Sequence, residues 1–313
     1  MPEFTVAIRT YNRENYLPAL LERLRSQRDT ENISWDIIIV DNNSTDNTAK
    51  IIQDYQCNWA EAFPLKYFFE SQPGAYYARQ RAIQEAQSPL IGFLDDDNLP
   101  ALDWVAKAYL FAQSHPQAGA YGSQIHGTFE VPPPENFERI AGFLPIVERQ
   151  QTICFNTYRA KGVLPPGAGL VIRQQAWLDC IPKYLILQGP VGQSLAAKGE
   201  DIEALIYIQK AGWEIWYNSE MHIDHYIPKT RLEKQYLQQF FQGIGRGRHH
   251  TRMLRYKRWQ RPFMFFLYLI NDFRRLAIHW LKYRRVMTTD IVAASEMSLL
   301  VNSLASPFYF RRR

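Results

Sequence analysis

Cysteine is scarce in this chain: three in 313 residues, Cys57, Cys154 and Cys180, odd in number and far apart. That spacing offers neither a disulfide framework nor a paired metal-ligand motif, and it points to a reducing compartment. Room for a secretory leader is also lacking, since Met1-Pro2-Glu3-Phe4 runs almost at once into a strand-like segment. Internal repeats are absent, and the only low-complexity tract is the terminal Arg311-Arg312-Arg313. The apolar run from Phe263 to Ile270 is interrupted by Asp272, Arg274 and Arg275 after too few residues to cross a bilayer. Acids nearly vanish towards the end: from Gly243 to Arg313, three acids face 15 Lys and Arg. Residues 1–242 carry 28 acids and 21 basic groups, so the formal charge of +5 conceals an acidic body and a basic tail. A basic tail suits anionic lipid, nucleic acid or a polyanionic substrate, and charge alone does not choose.

What is present is a well-filled core. Hydrophobic residues make up 46% and aromatics 14%, which excludes wholesale disorder. Strand-like and helix-like segments alternate through the first half. Thr5–Ile8 reads as a strand, and Leu17, Leu20, Leu21 and Leu24 fall at helical spacing. Asp36–Val40 is a continuous apolar run of the kind covered on both faces, and Ser44 or Asp46 is placed to cap the helix that follows, through about Tyr55. Strand Leu65–Phe69, a helix over Ala75–Ala86 and strand Leu90–Leu94 complete an α/β pattern with a mostly parallel sheet. Val131-Pro132-Pro133-Pro134-Glu135 must be an exposed loop or flap, and Gly167-Ala168-Gly169 leads into a strand where small residues permit close approach. Glu200–Ala211 reads as a helix closed by Gly212. Pro262–Tyr283 reads as an amphipathic helix that either lies in a membrane interface or packs on the domain.

The densest chemical signal is Leu90-Ile91-Gly92-Phe93-Leu94-Asp95-Asp96-Asp97-Asn98, an apolar strand that ends in three adjacent carboxylates. Crowding three acids costs Coulomb repulsion and desolvation unless a cation, protons or solvent relieve it. At the carboxyl end of a strand in an open α/β sheet, a divalent metal carrying a phosphate-bearing ligand is a natural solution. Asn98 and Asp103 read as caps of the next helix.

With Thr10-Tyr11-Asn12-Arg13 after the first strand, Asp41-Asn42-Asn43-Ser44-Thr45-Asp46 after the second, Gly74…Ala78-Arg79, the Asp triplet and Glu200-Asp201, the chain resembles the family-2 glycosyltransferases of the GT-A fold over residues 4–226. The resemblance implies a Rossmann-like, mixed and mostly parallel sheet with flanking helices, a catalytic domain over residues 1–228, and a basic, aromatic helical extension over 229–313. It implies an inverting, metal-dependent transfer of sugar from a nucleotide-diphosphate donor, UDP-sugar favoured, to a glycan or lipid-linked acceptor in polysaccharide biosynthesis. Thr10, Tyr11, Arg13, Asp41, Arg79, Asp95 and Asp96 would then contact the nucleotide-sugar. Asp97 and His225 would hold Mn²⁺ or Mg²⁺, with His222 as the competing histidine. Asp201 would be the general base, with Glu200 as understudy.

Each assignment has a plainer alternative. Asp41 could cap the next helix, Arg79 could make a surface ion pair, and Glu200-Asp201 could be acids favoured by a helix dipole. Two departures stand out: Arg9 occupies a place where relatives often carry Pro, and Asp-Asn-Asn-Ser replaces the commoner Asp-Asp-Gly-Ser. No Gln-X-X-Arg-Trp segment follows Asp201, which argues for one sugar per encounter rather than processive synthesis. A sugar nucleotidyltransferase is disfavoured because Arg9–Asn15 contains no glycine for a phosphate loop. Arg246-Gly247-Arg248-His249-His250 suggests nucleic-acid binding, but no recognisable module accompanies it and no nucleic-acid partner is expected. An inactive GT-A-like scaffold is the remaining alternative. The expected setting is cytoplasmic, with peripheral contact at the inner face of an anionic membrane.

Overall fold

The apolar runs become strands whose side chains are almost wholly removed from water. β1 (Phe4–Thr10) and β2 (Trp35–Asp41) are buried along nearly their full lengths. Between them, α1 (Leu17–Arg25) turns Leu17, Leu20, Leu21 and Leu24 inward, each fully buried and worth about 1.5–3 kcal/mol of transfer free energy. The alternation continues through α2 (Thr48–Cys57), β3 (Leu65–Phe69), α3 (Ala75–Glu85), β4 (Leu90–Asp95), β5 (Asn98–Pro100), α4 (Trp104–Ser114) and β6 (Ala118–Phe129). Then come β7 (Ile153–Cys154), β8 (Leu170–Arg173), α5 (Gln174–Cys180), α6 (Glu200–Lys210) and β9 (Glu214–Ile227).

This computed structural model describes residues 1–59, 63–156, 164–187, 189 and 198–309. It divides into two units. The first contains Met1–Thr128, Pro145–Tyr184 and Tyr207–Tyr226; the second contains Phe129–Leu144, Leu185–Ile206 and Ile227–Arg313. A single division at residue 228 therefore differs from the spatial one, because two earlier segments join the C-terminal helices. The terminal Arg311-Arg312-Arg313 lie outside the described residues.

The strands form one mixed sheet in the order β3-β2-β1-β4-β8-β6-β9-β5, with β7 paired to β9. β3, β2, β1 and β4 are parallel, while β8 pairs antiparallel with both β4 and β6. The chain leaves β1 to one side for β2 and returns on the other as β4, so the connection reverses direction between β1 and β4. Such a switch point opens a crevice at the carboxyl ends of the strands. Register brings Thr10 level with Asp41 and Arg9 level with Asp95 at that crevice.

Several local expectations are revised. Asp46 accepts from the Thr48 N–H at 3.0 Å and so serves the start of α2, whereas Ser44 accepts from the Asn12 N–H at 2.9 Å. Asp103 precedes α4 but makes no side-chain cap. Gly169 has φ +63° and a Cβ there would stand 2.7 Å from Ser123 Oγ and 2.9 Å from Ile223 Cδ1. The close approach predicted at this glycine is thus to buried packing, where Ser123 also accepts from the Trp104 indole at 3.0 Å.

The second unit is built from α7 (Lys229–Leu232), α8 (Lys234–Leu254), α9 (Arg261–Tyr283) and α10 (Ile291–Tyr309). Gly245 lets α8 press on α10, since a Cβ there would lie 2.7 Å from Asn302 Cβ. Ser298 and Ser306 donate to the carbonyls of Gln238 and Arg246, at 2.9 and 2.6 Å. The basic motif at 246–250 is occupied within this packing: Arg246 lies over the Tyr309 ring, Arg248 bonds Ser303, and His250 bonds Glu203.

Asn42 joins two loops of the crevice. Its amide donates to the carbonyls of Glu70 and Gln72, at 3.1 and 2.7 Å, and its carbonyl accepts from the Gly74 N–H at 2.7 Å. An aspartate cannot make those two donations and would add charge beside buried Asp41. Asn42→Asp is therefore expected to cost about 3 kcal/mol in urea unfolding. A loss within about 0.5 kcal/mol would contradict the role given to the amide.

Candidate active site

The Asp triplet occupies a four-residue turn between β4 and β5. Asn98, expected as a helix cap, instead closes this turn: its Oδ1 accepts from the Asp95 N–H at 3.0 Å, and its Nδ2 donates to Asp97 Oδ1 at 3.1 Å. β5 pairs with β9 so that Asn98 faces His225, and the Tyr226 N–H donates to the Asp97 carbonyl at 3.0 Å. This register sets His225 beside the turn. Its Nε2 is 3.7 Å from Asp97 Oδ1, with both side chains buried. The separation is too long for a hydrogen bond and short enough for both to ligate one cation.

His222 points elsewhere. Its ring stacks on His126 with centroids 5.2 Å apart, and its Nδ1 is 2.9 Å from His126 Nε2. His126 in turn meets Glu148 at 2.8 Å. Of the two candidate histidines, His225 is the one beside the acid turn.

Three arginines answer the acids. Arg9 reaches across from β1 and donates to Asp95 Oδ1 at 2.6 Å. Arg13 donates through Nε to Asp96 Oδ1 at 3.0 Å. Arg79, on α3, is 1% exposed, with its guanidinium 5.3 Å from the centre of the Phe93 ring; a surface ion pair is thereby excluded. Burial works to raise the Asp95 carboxyl, yet Arg9, aided by Arg79 and His225, holds it below the ordinary carboxylate value. Asp96 goes the other way: burial, with Asp97 adjoining, pushes it up to about 7 despite Arg13.

The donor chemistry fits a divalent cation. No group of three or more His, Cys, Asp or Glu side chains converges on a metal position among the described residues. The protein would supply Asp97 and His225 alone, leaving an open shell for diphosphate and water. Carboxylate oxygen with one imidazole suits Mn²⁺, and Mg²⁺ less well.

At the ends of β1 and β2, Asp41 is 1% exposed, and its two oxygens accept from the Ser44 N–H at 2.9 Å and the Tyr67 hydroxyl at 3.0 Å. Burial and this carboxylate push the Tyr67 hydroxyl up to about 12. Asp41 thus braces its own loop, and each oxygen keeps a second lone pair for a ligand. The Thr10 carbonyl accepts from the Asn42 N–H at 2.9 Å, while its hydroxyl is buried with no partner among the described residues. Tyr11 is 38% exposed beside it. Asn12 adopts φ +53° and accepts from the Thr45 N–H at 2.8 Å; Asn43 adopts φ +68°, a left-handed conformation that asparagine tolerates.

Glu200 and Asp201 belong to the second unit, in the first turn of α6. Glu200 is 8% exposed and packs against Gly189, where a Cβ would lie 2.7 Å from its Cδ. Asp201 is half-buried and accepts from the Ile202 N–H at 2.9 Å. Glu203, which the sequence reading passed over, accepts from the Ile186 and Leu187 N–H groups and bonds His250 at 2.8 Å. That acid holds structure, and Asp201 is the more accessible carboxylate of the starting pair. Arg9, Asn42 and Asn98 were likewise missed as site residues. The signal for Arg9 is a lone charged residue near the end of a buried strand, Phe4–Thr10.

Residues 5–166 match the model of glycosyl transferase family 2. TuaG of Bacillus subtilis strain 168, provisionally named for teichuronic acid biosynthesis, is 34% identical over 97 residues, covering 31% of this chain and 36% of TuaG. TarS of Staphylococcus aureus strain Mu50, a poly(ribitol-phosphate) β-N-acetylglucosaminyltransferase, is 27% identical over 115 residues, covering 37% of this chain and 20% of TarS. The chain thus aligns with well under half the length of these curated relatives. Among solved structures, the mannosyltransferase PcManGT of Pyrobaculum calidifontis, bound to GDP-Man and Mn²⁺, superposes with TM-score 0.65 at 15% identity over 99% of this chain and 88% of that one. TarS 1–349 of S. aureus with UDP-GlcNAc gives 0.52 at 17% identity over 99% and 92%. These likenesses establish a shared GT-A fold. With the family model spanning more than half of its length, the chain belongs to glycosyl transferase family 2.

Proposed function

We propose that the chain is an inverting, metal-dependent glycosyltransferase that moves one sugar per encounter from a nucleotide-diphosphate donor, UDP-sugar favoured, to a hydroxyl of a glycan or lipid-linked acceptor in cell-surface polysaccharide assembly. The observation that carries this reading is the Asp95–Asn98 turn at the β1/β4 switch point, with Asp97 beside His225 and arginines on either side. Support also comes from relatives named for teichuronic acid biosynthesis and for poly(ribitol-phosphate) glycosylation, and from GT-A structures holding UDP-GlcNAc or GDP-Man.

In this mechanism Asp41 orients the base through its remaining lone pairs, and uracil with its N–H suits that acceptor. Asp95, kept ionised by Arg9, accepts from ribose hydroxyls. Asp97 and His225 would hold a divalent ion, which when bound would supply positive charge against the departing diphosphate. Arg79 adds a fixed positive charge to the same field. Asp201 takes the proton of the acceptor hydroxyl as its oxygen bonds the anomeric carbon; the C–O bond to phosphate breaks and its electron pair leaves with the nucleoside diphosphate. A carboxylate at a helix N-terminus is a weak base, so proton transfer falls late, once bond formation has acidified the hydroxyl.

Melting temperatures measured with UDP, GDP, CMP and TDP, each with and without Mn²⁺, test the donor half. A metal-dependent rise with UDP, lost in Asp97→Ala, is expected; no response to any nucleotide in folded protein would sink it. For the base, Asp201→Asn should retain that UDP response and lower turnover about 10²-fold or more. Turnover within about threefold of wild type would remove Asp201 from the reaction.

A further inference from the structure

α9 is amphipathic the wrong way round for a helix of a water-soluble surface. Its inward side carries polar groups among half-buried Phe265, Leu269 and Leu276. Asp272 is 2% exposed and paired to Arg252 of α8, with one N···O at 2.9 Å. The Tyr268 hydroxyl bonds that of Tyr256 at 3.0 Å, and His279 Nε2 bonds the Ala293 carbonyl of α10 at 2.9 Å. Its outward side carries the large apolar residues. Phe263, Phe266, Leu267, Ile270, Ile278 and Leu281 recur at helical spacing as one stripe, each 44–68% exposed. Phe273 and Trp280 flank the stripe, at 64% and 50%. Exposed Arg274 falls on the same side between Ile270 and Ile278 and divides the stripe into a four-residue and a two-residue patch, and exposed apolar patches of this kind mark an interaction surface.

The charges around the stripe select its occupant. From Arg255 to Arg285 there are nine Lys and Arg and one acid, the Asp272 already neutralised by Arg252. Exposed Arg255, Lys257 and Arg258 stand with Trp259 before α9; Lys282, Arg284 and Arg285 stand with Trp280 at its end; Arg274 and Arg275 lie between. Indole rings and cationic side chains bracketing an apolar stripe match the layering of a bilayer surface, with apolar residues at the acyl boundary and basic ones among headgroups. A second copy of this chain would bring the same uncompensated positive charge against itself. Among the described residues only α10 is long and apolar enough to cross a membrane, and 44% of it is buried in packing.

We propose that α9 is an in-plane membrane anchor, laying the stripe from Phe263 to Leu281 into the surface of an anionic bilayer. Its 23 residues give a contact about 34 Å long. Each basic residue near an anionic surface contributes about 1 kcal/mol, so a double signal of charge and apolar insertion supports stable attachment.

The test is flotation of the full chain with phosphatidylcholine vesicles, with and without phosphatidylglycerol, at about 0.05 M and about 0.5 M salt. The protein should float with the anionic vesicles and remain partly bound at high salt. The variant Phe263→Ser/Phe266→Ser/Ile270→Ser, altered only at exposed positions, should bind about tenfold less or weaker still, at an unchanged melting temperature. The variant Arg274→Gln/Arg284→Gln/Arg285→Gln should lose the preference for anionic vesicles. Failure to float at low salt, or equal flotation by the serine variant, overturns the proposal. So does a soluble dimer that the serine variant dissolves while neither protein binds vesicles.

Discussion

Three carboxylates crowded on one turn form the constraint around which this part of the protein is arranged. Left alone, Asp95, Asp96 and Asp97 would repel one another on a turn where only Asp97 is fully buried and Asp95 and Asp96 are half-buried. Each is answered differently. Asp95 has a guanidinium in register on the neighbouring strand; Asp96 shares Arg13 yet still titrates high; Asp97 faces a histidine across a gap suited to a cation. The backbone of the turn is fixed by Asn98 and by the Tyr226 amide, so the acids cannot separate to relieve the repulsion. The crevice at the β1/β4 switch point places these acids at the carboxyl ends of the strands, and under the proposed function a cation with its diphosphate would complete the balance there.

Much of the fold was legible because burial on both faces leaves a plain trace. Ile37-Ile38-Ile39 and Leu90–Leu94 are uninterrupted apolar runs, and strand Leu65–Phe69 falls where the alternation places it. The four leucines of α1 needed only helical periodicity. Side chains that bond across long sequence separations were not legible. Arg9 meets Asp95 86 residues later, and only the parallel register between β1 and β4 brings them level. Asn98 looked like a cap because asparagine before a helix commonly is one; a short antiparallel pairing with β9 drew it into a strand instead. The choice between His222 and His225 depended on strand pleat, which turns residues three apart to opposite faces.

The departures from the family pattern acquire physical reasons. Arg9 places a permanent positive charge on the first acid, where proline could place none. Asn42 needs a side chain that both donates and accepts, and Asn43 takes up the left-handed turn otherwise given to glycine. In the second unit, glycines and serines let α8 and α10 approach closely, which consumes the basic motif that suggested nucleic acid. The same packing satisfies the polar side of α9 and leaves its apolar side uncovered.

The most direct measurement is the anomalous scattering of a crystal grown with UDP and Mn²⁺. The account predicts a manganese peak between Asp97 and His225, with the diphosphate completing its coordination. A peak instead at the His126, His222 and Glu148 cluster, or UDP bound with no manganese beside the Asp turn, would contradict it.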